Sequence, residues 1–200
     1  LSQIVRWIAF HQYNIQNNII PASNAHIETR ILTNNGDMNI QEFWVKNKGK
    51  LRVLDIYYKN SEQAKCNRDV LRLLRSSDMI ILAPANPVSS IGPILSLTKI
   101  KEELIKQRDK VIAISPVIGK KAISGPAGKY LKAKGIESSC RGIAKFYSQL
   151  ISKMVIDNTD VNFSNEIIKM GITTHATNIL MNSLKEEKRL AKFILKVMNC

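Results

Sequence analysis

A run of five apolar residues, Met79-Ile80-Ile81-Leu82-Ala83, cut off by Pro84, sets the tightest limit on how this chain can fold. An unbroken hydrophobic stretch of strand length belongs in a sheet covered on both faces, hence a parallel sheet with helices on either side. Proline has no N–H to give the ladder, so the strand stops at Pro84. The next residues are turn-formers: Asn86-Pro87-Val88-Ser89-Ser90, then Ile91-Gly92-Pro93-Ile94 leading into a helix. Open α/β sheets bind ligands where strands empty into such turns at their carboxyl ends. Side-chain amides and hydroxyls, with free backbone N–H groups at a helix start, suit a phosphate or a nucleotide. A helix-capping turn uses the same Asn and Ser residues, and both readings stand here.

The pattern recurs downstream. Residues 96–107 read as a helix with Lys and Glu outside, and 110–116 (KVIAISP) as a second buried strand ending in Ser115-Pro116. Strand, crossover helix and strand make a βαβ unit with parallel pairing and a right-handed connection. Two strands therefore deliver polar turns to one sheet edge. The stretch Ser124-Gly125-Pro126-Ala127-Gly128-Lys129 resembles a phosphate-binding Walker loop only in part, because Ile123 and Tyr130 stand where glycine and Ser or Thr are needed. Ser124 and Gly125, ahead of a proline in a first helical turn, still offer a candidate anion seat; an ordinary proline-started helix is the alternative. Helices are expected at 63–77, 142–152, 163–170 and 177–198, with short strands at 154–156 and 171–174. In the first of these, Val70, Leu71, Leu73 and Leu74 are placed on the core side. Asp157 and Asp160 are weighed as cation ligands against an ordinary polar turn.

The amino-terminal third departs from this pattern. An amphipathic helix over 1–13 is followed by a short strand end at Ile19-Ile20-Pro21. Residues 27–32 and 38–45 then read as a hairpin around Asn35-Gly36, and 51–58 as its third strand. The segment 27–58 is thus an antiparallel β-meander inserted at the sheet's edge, with Phe43 and Trp44 as core or interface residues. The fold class is α/β: a Rossmann-like, three-layer α/β/α arrangement with a mostly parallel sheet, one domain over 1–200. The chain opens at Leu1, inside a helical pattern, which leads us to expect a missing amino-terminal portion.

Composition narrows the setting. A net charge of +14 attracts anionic ligands, but the lysines are scattered, without interleaved aromatics or a helix-turn-helix or zinc signature. Nucleic acid is therefore not the expected partner. Cys66, Cys140 and Cys200 are far apart and match no metal spacing, which points to a reduced, cytoplasmic location. No membrane-spanning stretch occurs. His11, His26 and His175 have no zinc spacing.

The stretches APANPVSSIGPI, VIAISPVIGKKAISGPAGKYLKAKGIESSCRGIAKFY and VIDNTD, with IIPASNAHIETRI, GDMNIQEFWVKNKG and GITTHATNILMNS, resemble in order the 2-phospho-L-lactate transferase (CofD) family. The resemblance implies a Rossmann-like homodimer of coenzyme F-420 biosynthesis using Mg²⁺. It implies transfer of a phospholactyl or phosphoenolpyruvyl group from a GDP-linked donor to a deazaflavin acceptor, with release of GMP. On that reading Pro84, Asn86, Pro87, Ser89, Ser90, Ile91 and Gly92 hold the nucleotide or phosphate, with Ser115, Ser124 and Gly125 closing the site. Two departures stand out. The family's Ser-Asp-Asp is Ser23-Asn24-Ala25 here, so its carboxylates are lost, and its Pro-Ser-Asn-Pro is Pro84-Ala85-Asn86-Pro87. The alternatives are a non-catalytic nucleotide-sugar-binding regulator of the CofD-like type and an inactive truncated homologue.

Overall fold

The computed structural model describes residues 1–119, 121–122 and 126–198. The chain starts with helix α1 (Ser2–Tyr13), which ends at Asn14 in the left-handed region, φ 49°. No strand forms at residues 19–21. The antiparallel sheet follows in the order β2-β1-β3, from β1 (Glu28–Thr33), β2 (Gly36–Asn39) and β3 (Val53–Lys59). Its first turn needs Gly36, whose φ is +105°. The expected second strand over 38–45 is half right. Glu42–Lys46 coils as a π-helical turn instead, burying Phe43 completely and leaving Trp44 at the surface. Apolar alternation across Met38, Ile40, Phe43 and Trp44 does not separate strand from tight helix over so short a run.

Helix α2 (Arg68–Ser76) begins later than expected, where the Asn67 side chain accepts from the Asp69 N–H at 3.0 Å. Val70, Leu71 and Leu74 pack on the core, but Leu73 faces solvent. The parallel sheet runs β4-β5-β8-β9, from β4 (Ile80–Leu82), β5 (Val111–Ile114), β8 (Lys153–Asp157) and β9 (Thr173–Thr177). Helices α3 (Gly92–Leu95) and α4 (Thr98–Lys106) cross from β4 to β5. A short hairpin, β6 (Val117–Ile118) with β7 (Lys121–Ala122), precedes α5 (Ala127–Ala133) and α6 (Cys140–Tyr147). The chain ends with α7 (Ser164–Ile168) between β8 and β9, then α8 (Leu184–Met198), seven residues shorter at its start than the pattern indicated.

Side chains of the central strands alternate between two cores. Val111 and Ala113, with Met154 and Ile156, join the cluster under α4 and α6, which runs on to Ile31, Phe43 and Ile56 of the antiparallel sheet. Ile112, Ile114 and Val155 face the other way, onto Leu190, Ile194 and Val197 of α8. Helices therefore cover both faces of the sheet, which is the three-layer α/β/α arrangement the buried strands require.

Two buried carboxylates tie the loops of the carboxyl edge together. Asp157 accepts from the Thr159 N–H (3.0 Å) and hydroxyl (2.9 Å) and from the Ile179 N–H (3.2 Å). Asp160, 1% exposed, accepts from the Gly119 N–H at 3.0 and 3.1 Å. Burial pushes the Asp157 carboxyl up, but its three donors outweigh that and hold it below the usual carboxylate range. Burial raises the Asp160 carboxyl, the Gly119 N–H opposes this, and the Asp157 charge adds to the rise. Both residues act as loop ties. Asp160 has a folded-state pKa above that of the unfolded chain, so its stabilising share is fully present in acid and is lost as pH rises through the folded value. Asp160→Asn keeps an acceptor for Gly119 and cannot ionise. Its urea midpoint should gain on the parent as pH rises from about 3 to about 7; a constant gap would show that Asp160 does not titrate in this way.

Candidate functional site

One side chain builds the turn after β4. Asn86 accepts at Oδ1 from the N–H groups of Val88 (2.9 Å) and Ser89 (3.1 Å). Its backbone carbonyl accepts from Ser90 and Ile91, both at 3.0 Å. Four successive N–H groups are thereby satisfied inside a π-helical turn, Pro87–Ile91. The expectation of free backbone N–H groups as a phosphate seat is corrected here: Asn86 already occupies them. The two readings of the stretch merge, since Asn86 is a cap first. With Oδ1 engaged, Asn86 can offer a ligand its amide Nδ2 group.

Below the turn, the Tyr58 hydroxyl of β3 donates to the Val88 carbonyl at 2.6 Å. Gly92 lies directly against that ring, and a Cβ there would fall 1.8 Å from the Tyr58 oxygen. Burial pushes the Tyr58 hydroxyl up to about 12, so it stays a neutral donor. Pro87, Val88, Ile91 and Gly92 are buried supports of the turn, and Pro84 is half-buried at the strand end. Ser89 is half-buried and Ser90 exposed, and neither hydroxyl is engaged among the described residues.

Both serines and Asn86 face a cavity of about 520 Å³. Its opposite wall comes from the helical turn of the meander, chiefly Trp44 and Val45, and its floor from Pro126 and Tyr130. Trp44 is 48% exposed; its ring rests on Gly49, where a Cβ would lie 2.7 Å away, and Gly49 sits at φ +64°. Lys129 fixes that corner, its Nζ donating to the carbonyls of Gly49 and Lys50. The lysine of the Gly-Pro-Ala-Gly-Lys stretch is therefore a loop anchor. Tyr130 replaces a Walker hydroxyl with a buried aromatic ring 5.9 Å from Phe43, its own hydroxyl pushed up to about 12 by burial. An exposed indole face across from two free hydroxyls can stack a planar base while the hydroxyls meet its phosphates.

Other expected site residues lie elsewhere. Ser115 is fully buried; its hydroxyl donates to the Val117 carbonyl (2.8 Å) and accepts from the Val117 N–H (3.2 Å), so it shapes the β5–β6 bend and is not in the cavity wall. Ser124 and Gly125 lie outside the described residues; Pro126, which follows them, is on the cavity floor. Asn24 uses its Oδ1 to hold α1, accepting from the Ser2 N–H (3.0 Å) and hydroxyl (2.9 Å), and the Ala25 N–H donates to Ser23 Oγ (3.0 Å). The cavity wall carries no carboxylate, and no trio of His, Cys, Asp or Glu suited to a metal occurs among the described residues. Mg²⁺ usually keeps several waters and takes one or two carboxylates together with substrate phosphates, and the described residues of this wall offer it no carboxylate. Trp44, read from sequence as a core or interface residue, is the added candidate; its signal was Gly49 five residues on, the small partner an exposed ring needs behind it.

A family model described as "2-phospho-L-lactate transferase CofD" matches residues 1–197. The chain is 42% identical over 186 residues to a 2-phospho-L-lactate transferase of Methanocaldococcus jannaschii, covering 91% of this chain and 58% of that protein. It is 40% identical over 185 residues to one of Methanococcoides burtonii, covering 92% and 60%. The chain thus spans about 60% of the length of these relatives. Among solved structures, protein BH3568 of Bacillus halodurans, a member of the UPF0052 family, superposes with a TM-score of 0.62 at 13% identity. That match covers 94% of this chain and 66% of BH3568 and speaks to fold alone.

The turn's construction is testable by stability. Asn86→Ala should cost about 1 kcal/mol in denaturant unfolding, the usual loss of a cap, whereas Asn86→Asp, which keeps the acceptor, should cost clearly less. Gly92→Ala should cost about 1–3 kcal/mol through overpacking, and less when Tyr58→Phe has removed the clashing oxygen. Equal costs in the two backgrounds would contradict the contact.

Proposed function

The chain belongs to the 2-phospho-L-lactate transferase (CofD) family, and from that premise we propose that it works as such a transferase in coenzyme F-420 biosynthesis, in the cytoplasm and as a homodimer. The donor is lactyl-2-diphospho-5'-guanosine, or its phosphoenolpyruvyl counterpart. The acceptor is 7,8-didemethyl-8-hydroxy-5-deazariboflavin. Its ribityl hydroxyl oxygen attacks the phosphorus that carries the three-carbon acid. A P–O bond to that phosphorus forms, the P–O–P bond breaks, GMP leaves with the bond's electron pair, and the hydroxyl proton passes to solvent.

The observation that carries this reading is the cavity between Trp44 and the Asn86 turn, with an aromatic face on one side and two free hydroxyls on the other. Guanine would stack on Trp44, and Ser89 and Ser90 would donate to the diphosphate. Transfer at a diphosphate depends on in-line positioning and charge stabilisation more than on a protein nucleophile, which suits a cavity wall without Cys, His or carboxylate. Mg²⁺ would enter with the donor's own diphosphate and neutralise its charge, since the described wall of the cavity offers no carboxylate.

The test is GMP release from the donor by this chain, with the deazaflavin acceptor and Mg²⁺ present. GMP should form in step with acceptor consumption. Ser89→Ala combined with Ser90→Ala should slow release by about tenfold or more, the equivalent of two lost hydrogen bonds. A version extended to the full length of the relatives that binds GDP but releases no GMP would overturn the transferase reading and favour a nucleotide-binding regulator.

A further inference from the structure

A second cavity, about 500 Å³, is walled by Val88 and Gly92 of the Asn86 turn, neither of which lines the first cavity. Three lysines surround it: Lys101 from α4, Lys134 just past α5, and Lys145 from α6. No Asp or Glu is among its lining residues. Lys134 is held by Asp55, Nζ to Oδ1 at 2.8 Å, and that is the one ion pair at the cavity among the described residues. Lys101 and Lys145 are exposed and have no salt-bridge partner among the described residues.

The remaining lining is apolar and aromatic. The Tyr58 ring and Leu95 lie beside the turn, and Phe146, 40% exposed, stands with Leu150 across from them. Two unpaired ammonium groups, with Lys134 held by Asp55 beside them, around an aromatic and aliphatic floor suit a ligand with a flat apolar body and a dianionic head. The volume accommodates a one- or two-ring compound. We propose that this cavity binds an aromatic phosphate, its ring between Tyr58 and Phe146 and its dianion among Lys101, Lys134 and Lys145. The site is separate from the Trp44 cavity and does not depend on the transferase reading.

The probe is 1-naphthyl phosphate, with uncharged 1-naphthol and inorganic phosphate as controls, titrated calorimetrically into the full 200-residue chain. The expected result is saturable one-to-one binding of naphthyl phosphate, at least tenfold tighter than either control. Lys101→Ala with Lys145→Ala alters two exposed side chains and should leave the urea midpoint unchanged while weakening naphthyl phosphate at least tenfold. Adding GDP at saturation separates the two cavities, because a ligand in the second cavity is not displaced by it. Displacement by GDP, equal binding of naphthol and naphthyl phosphate, or full affinity in the double variant would each overturn the proposal.

Discussion

The hydrogen bonds that Asn86 makes within its own turn are the constraint on which the carboxyl edge of the sheet depends. A strand that ends at a proline leaves the next N–H groups without ladder partners, and Asn86 satisfies four of them with two oxygens. That closure determines which groups remain for a ligand. The backbone is withdrawn, and Ser89 and Ser90 line the cavity together with Trp44. The Tyr58 hydroxyl then fixes the turn to the antiparallel sheet, and Gly92 supplies the only side-chain size that fits against it. The meander thereby forms one wall of the cavity, held through Tyr58 on one side and Lys129 on the other.

The parallel core was legible because its signal is continuous. Runs such as Met79–Ala83 and Val111–Ile114 have no polar interruption, and no other common architecture buries strands on both faces. The meander was legible as strand where a turn residue marked it, at Gly36, and illegible where it coiled at Glu42–Lys46. Five residues are too few to show whether apolar positions recur at two or at nearly four.

The turn that lines the candidate site was legible in the sequence, and its internal hydrogen bonding was not. Proline, asparagine and serine after a buried strand located the turn correctly, yet the same residues cannot reveal that the asparagine consumes the N–H groups. Ser115 reads like Ser89 in sequence, but its hydroxyl is fully spent on the next bend. Trp44 and Phe43 shared one reading, core or interface, because only the π-helical turn buries Phe43 completely and places the two rings on opposite sides. Long-range ties such as Asp160 to Gly119, 41 residues apart, leave no local trace at all.

The most direct measurement is a GDP titration followed by the fluorescence of Trp44, with Trp7→Phe silencing the other tryptophan, which lies in α1. Stacking of guanine on the indole should quench emission with a saturable curve. Ser89→Ala with Ser90→Ala should weaken the apparent affinity by about tenfold, the share of two hydrogen bonds. GDP binding detected by calorimetry with Trp44 emission unchanged would place the nucleotide elsewhere and contradict the assignment of this cavity.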